Sequence, residues 1–72
     1  MTETIDCRGL KCPQPVLKIA IRARSLEKGT SLEVQADCPT FSDDVKKWCQ
    51  DTGHVLVSVV DRGAYKVATI QL

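Results

Sequence analysis

The chain has 72 residues, four of them cysteines, and a formal net charge of +1. That length makes one small domain, residues 1–72, with a thin core and no room for a deep cleft lined by several converging catalytic groups. Near-neutral charge gives no polyanion footprint, and Phe41, Trp48 and Tyr65 are too few for a base-stacking platform, so direct nucleic-acid binding is not expected.

The opening residues, MTETIDCRGL, lack a basic stretch followed by an apolar run, and no apolar run approaches the length of a membrane span. A soluble, cytoplasmic protein without membrane insertion is the expectation. In that compartment the default for the cysteines is free thiols, not a disulfide scaffold.

In chain order, residues 2–6 (TETID) read as a short strand and RGLK as a loop, with Gly9 permitting a tight turn. From Pro13 to about Glu27 the pattern is helical. Val16, Ile19, Ala23 and Leu26 recur at spacings of three and four and share a face, and Gly29 is placed to cap the end. In SLEVQA (31–36), Leu32, Val34 and Ala36 alternate with polar residues, as in a strand buried on one side. A second helix is expected over Phe41 to Thr52. Asp43 and Asp44 sit in its first turn, Thr40 and Asp43 resemble a capping box, and Gly53 closes it.

HVLVSVV is rich in β-branched residues and reads as a strand; after the turn DRGA, YKVATIQL pairs back as a hairpin. The pattern leaves the buried face of this last strand open, with Val67 on one side and Ala68, Ile70 and Leu72 on the other.

The order βαβαββ predicts an α+β fold: a two-layer α/β sandwich, with a mixed four-stranded sheet and two helices packed on one face. A crossover joining parallel strands makes both helices begin at the same end of the sheet. Cys12 and Cys38, which directly precede the helices, are then expected on one shared edge.

Two prolines flank the start of the first helix. With Cys12 as N-cap, Pro13 is the first helical residue and Pro15 the third, where no intrahelical donor is lost and the helical φ is pre-set. The N–H groups of Gln14 and Val16 are then expected to turn toward the Cys12 sulfur. A helix N-terminus favours an adjacent anion by about 0.3–1 kcal/mol. A cysteine there carries more thiolate, and Arg8 and Lys11 are expected to strengthen the field.

CPQP has the length of a Cys-x-x-Cys box but ends on Pro15, so no resolving thiol sits there. A protease would need a histidine base, and the single histidine, His54, is expected at the opposite end of the sheet. What remains is a thiolate that takes up a group and gives it away, as a persulfide does. No pair among the cysteines and His54 has familiar metal-ligand spacing, so neither a metal nor a cofactor is expected. Cys49 adjoins an apolar helix face and reads as core, and Cys7 ends the first strand. Gly9 and Leu10 read as turn and packing, and the loop they form shapes access to Cys12. Arg8, Lys11, Lys18 and Arg22 are candidates for a basic docking surface, with plain solvation of each as the alternative.

IDCRGLKCPQPV resembles the signature of the TusA/SirA sulfur-carrier family, with Ile5, Asp6, Gly9, Leu10, Cys12, Pro13, Pro15 and Val16 matching in order. The resemblance implies that Cys12 carries a persulfide. It implies a donor protein, a cysteine desulfurase or a rhodanese-like protein, and an acceptor protein in tRNA thiolation, sulfur oxidation or related trafficking. Such a chain is sulfurtransferase-like but has no complete turnover site of its own. One departure stands out: where this family commonly has Asp-Asp-Pro or Thr-Asp-Pro, the chain has Asp37-Cys38-Pro39. Cys38 is therefore expected to assist, by taking sulfur from Cys12 or by forming a disulfide or trisulfide with it. Some relatives with a cysteine here look specialised for thiosulfate handling. Two other classes stay open: a regulatory or RNA-binding module, and a thiol redox protein using Cys12 and Cys38.

Overall fold

The computed structural model of the chain describes residues 2–11 and 14–72; Met1, Cys12 and Pro13 lie outside the described residues. The elements are β1 (Thr2–Asp6), α1 (Gln14–Ser25), β2 (Ser31–Ala36), α2 (Phe41–Thr52), β3 (Val55–Asp61) and β4 (Lys66–Gln71). They form one mixed sheet in the order β1-β2-β4-β3. β1 and β2 run parallel, and β4 is antiparallel to both of its neighbours.

The alternation read in the sequence sets the core. In register, Ile5 lies beside Val34, Val34 beside Ala68, and Leu32 beside Ile70, so one sheet face is continuous and apolar. Ile19 of α1 and Phe41, Val45 and Cys49 of α2 close over that face. Each large side chain fully removed from water there contributes about 1.5–3 kcal/mol. The last strand buries Ala68 and Ile70, while Val67 looks to the other face and is half-buried. Ala68 and Ile70 take that role because their register partners, Val34 and Leu32, already face the helices.

Three local expectations differ from the structure. The first helix ends at Ser25, not Glu27, where the Leu26 amide bonds the Ala23 carbonyl three residues back and tightens the turn. Gly29 is consequently not its cap. It sits at φ 95° in the turn leading to β2, and its amide donates to the Leu72 carbonyl, prolonging the β2–β4 ladder. Thr40 precedes α2, but the capping box does not form: the Thr40 hydroxyl donates to Asp44 at 2.9 Å, and Asp43 takes no part. Gly53, by contrast, caps α2 in the left-handed conformation at φ 79°. The Trp48 and His54 rings stack beside it, 5.1 Å between centroids.

Register decides which loops meet. Asp6 lies beside Gln35, and Ala36 and Asp61 both lie beside Lys66. The β1–α1 loop, the β2–α2 loop and the β3–β4 turn therefore emerge at one end of the sheet. His54, just before β3, belongs to the other end.

Candidate functional site

The site is the edge where both helices begin. Residues 7–11 follow β1 ahead of α1, and residues 37–40 leave β2 and lead into α2. Gly9 turns the first loop at φ 84°, a backbone conformation that L side chains rarely adopt. Its amide donates to both carboxylate oxygens of Asp37, at 3.1 and 3.2 Å, which fastens one loop to the other. Leu10 packs against the core from the same loop, and Lys11 is exposed. A cleft of about 330 Å³ runs between the loops, lined by residues 9–11 on one side and 37–40 on the other.

Cys38 lines this cleft, yet it is only 5% exposed. Its Sγ lies 3.7 Å from the Thr40 hydroxyl, and it is not a free thiol but half of a disulfide. A smaller crevice of about 120 Å³ flanks it on the other side, against the β3–β4 turn with Gly63 and Tyr65.

Of the residues singled out in the sequence, Cys12 and Pro13 lie outside the described residues. Pro15 is buried at the start of α1. The Gln14 amide, at the start of α1, donates to the Lys11 carbonyl at 2.8 Å. Arg8 is exposed and ion-paired. It donates from Nε and Nη2 to the two Asp6 carboxylate oxygens, each at 3.0 Å, and its guanidinium lies 5.2 Å from the Tyr65 ring centroid. Lys18 reaches the Asp6 carbonyl and Arg22 is paired with Glu3.

The hydrogen bonds from Arg8 hold the Asp6 carboxyl down at about 2. Burial pushes the Cys7 and Cys49 thiols up, and both are free. Both are therefore poor thiolates, at 0% and 3% exposure. Cys7 does neighbour the edge, since its amide donates to the Gln35 carbonyl, but its side chain fills the core. Among the described residues, no cluster of histidine, cysteine and carboxylate has the arrangement of a metal site.

Sequence reasoning missed Asp37 as the inter-loop clamp and Tyr65 as the ring beneath Arg8. Asp37 had a faint signal, as an acidic residue directly before Cys38-Pro39. Tyr65 had none, since its place at the edge follows from the register of the hairpin, not from its neighbours in sequence.

A family model described as sulfurtransferase TusA matches residues 3–72. The fold is also similar to the crystal structure of a SirA-like protein from Desulfitobacterium hafniense. That match has a TM-score of 0.82 and 25% identity, covering 97% of this chain and 95% of the other.

Proposed function

Because the chain belongs to the TusA family, a family with a sulfur-carrier role, we propose that it accepts sulfur as a persulfide on Cys12 and passes it to an acceptor protein. The Cys12 thiolate attacks the outer sulfur of a donor protein's persulfide, and the donor's thiolate leaves. An acceptor nucleophile then attacks the outer sulfur on Cys12 and restores the thiolate. Neither step needs a metal or an outside oxidant.

The observation that supports this reading best is the clamp from Gly9 to Asp37. It ties the loop that follows β1 to the other helix-starting loop, on the edge where α1 begins at Gln14. In sequence Cys12 stands two residues ahead of that helix, and a helix N-terminus favours a nearby anion. The described free thiols, Cys7 and Cys49, are buried and so poorly suited to meeting a partner. We assign the donor to the cysteine desulfurase or rhodanese-like class and the site of action to the cytoplasm. Among the described residues no helix is long and apolar enough to cross a membrane.

Intact-mass spectrometry after incubation with a cysteine desulfurase and cysteine tests the proposal. The native chain is expected to gain the mass of sulfur, and Cys12→Ser is expected to gain none. A chain that never takes up sulfur from any persulfide donor is not a carrier.

A further inference from the structure

The strand order β1-β2-β4-β3 makes β1 and β3 the edges of the sheet, and the two edges are dressed differently. Along β1 the Lys18 ammonium covers the Asp6 carbonyl and Arg22 pairs with Glu3. Cations laid over an edge keep a further strand away. β3 is the longest of the described strands, at seven residues. From Val55 to Val60 its sequence, VLVSVV, has neither a charge nor a proline. Val55 and Val57 are each 59% exposed and Val60 is 41% exposed, so the apolar edge faces water. We propose that this edge is a self-association surface. β3 pairs antiparallel with β3 of a second copy across a two-fold axis, and two four-stranded sheets become one of eight strands.

A two-fold contact needs a surface that complements itself, and β3 has that character. Outward from Ser58 come Val57 and Val59, then Leu56 and Val60, so a reversed copy sets apolar residues beside apolar residues. The flanks differ in charge, with His54 just before the strand and Asp61 at its end. Antiparallel apposition brings the Asp61 end of each copy toward the His54 end of the other, whereas parallel apposition would bring the two Asp61 carboxylates together. The register with β4 steps from Leu56 to Ser58 and leaves Val57 bulged out. A bulge often guards an edge by twisting it. Here Ser58–Asp61 beyond it stays in regular register with β4, and the pairing centres on that stretch. Val60 lies beside Val67 on the face away from the helices, so the join also shelters an apolar strip from each copy.

One strand pair is small against the about 1,200–2,000 Å² of a stable interface, so the dimer is weak and concentration-dependent. The Asp61 end of β3 is the end where both helices begin. Antiparallel joining therefore points the two helix-starting edges in opposite directions and leaves both open to other proteins.

The test is sedimentation equilibrium of the full-length chain, kept reduced, from about 10 µM to about 1 mM, with hydrogen–deuterium exchange at both ends of that range. The native chain is expected to move from the monomer mass toward twice that mass. The β3 amides are expected to exchange at least about threefold more slowly at the high concentration. Val57→Lys and, separately, Val60→Lys set a cation on the edge, with folding checked by circular dichroism. Each is expected to raise the midpoint concentration at least about tenfold. Ile21→Lys, at a side chain of α1 that is 69% exposed, is expected to leave it unchanged. A native chain that stays monomeric throughout overturns the proposal. So does a dimer whose β3 amides exchange equally fast at both concentrations, or one that Ile21→Lys breaks and both β3 variants spare.

Discussion

The Gly9 amide and the Asp37 carboxylate, 28 residues apart in sequence, join the two loops from which the helices start. Asp37→Ala removes a charged acceptor that is exposed to solvent, so its cost is expected near the low end for such bonds, about 1 kcal/mol. Asp37→Asn keeps an acceptor oxygen and is expected to lose less. Urea unfolding of the two variants reads both effects. Gly9→Ala meets no heavy atom within 4 Å, so its cost is conformational, about 1–2 kcal/mol for a left-handed residue.

Asp6 and Arg8 predict an acid response. The Asp6 carboxyl titrates at about 2 in the folded chain, against an ordinary 3.8, chiefly because the Arg8 side chain bonds the charged form. A depressed folded value means that the contribution is whole above the ordinary value and is lost as pH falls from about 4 to about 2. Carboxyl-carbon NMR titration is expected to place the Asp6 midpoint at the bottom of that window. Asp6→Asn is expected to flatten the acid limb of the stability profile over the same range.

The buried thiols predict a labelling pattern. Iodoacetamide on the reduced native chain is expected to spare Cys7 and Cys49, because burial disfavours their thiolates. In denaturant both are expected to react freely. Native-state labelling of tryptic peptides 1–8 or 48–62 at the denatured rate would contradict their placement in the core.

The core predicts a contrast between two apolar residues. Phe41 is 1% exposed and Leu17 is 57% exposed. Phe41→Ala is expected to cost about 3–5 kcal/mol, comparable to the whole stability of a small domain, so this variant is expected to be largely unfolded. Leu17→Ala is expected to stay within about 0.5 kcal/mol of the native chain. Thermal melts by circular dichroism separate the two.

These particulars also show how far the sequence could be read. Alternation in residues 31–36 and the spacing of Phe41, Val45 and Trp48 are local signals of burial; the structure buries Leu32, Val34, Ala36, Phe41 and Val45 and leaves Trp48 half-buried against the core. They give the element order and, through the parallel first crossover, the shared edge. Hydrogen bonds that compete for one donor were not legible. The Thr40 hydroxyl goes to Asp44 instead of capping α2. The buried face of β4 needed the register with β2, and Tyr65 needed the hairpin as a whole. Contacts between distant segments have no signature in either segment alone.

Trypsin separates the four cysteines onto four peptides: 1–8, 12–18, 29–46 and 48–62. That makes one measurement decisive: a peptide map of the native chain, loaded by a cysteine desulfurase and alkylated at once. The account predicts that the first sulfur added is found on peptide 12–18. Sulfur accumulating first on any of the other three, or persisting in Cys12→Ser, would contradict it.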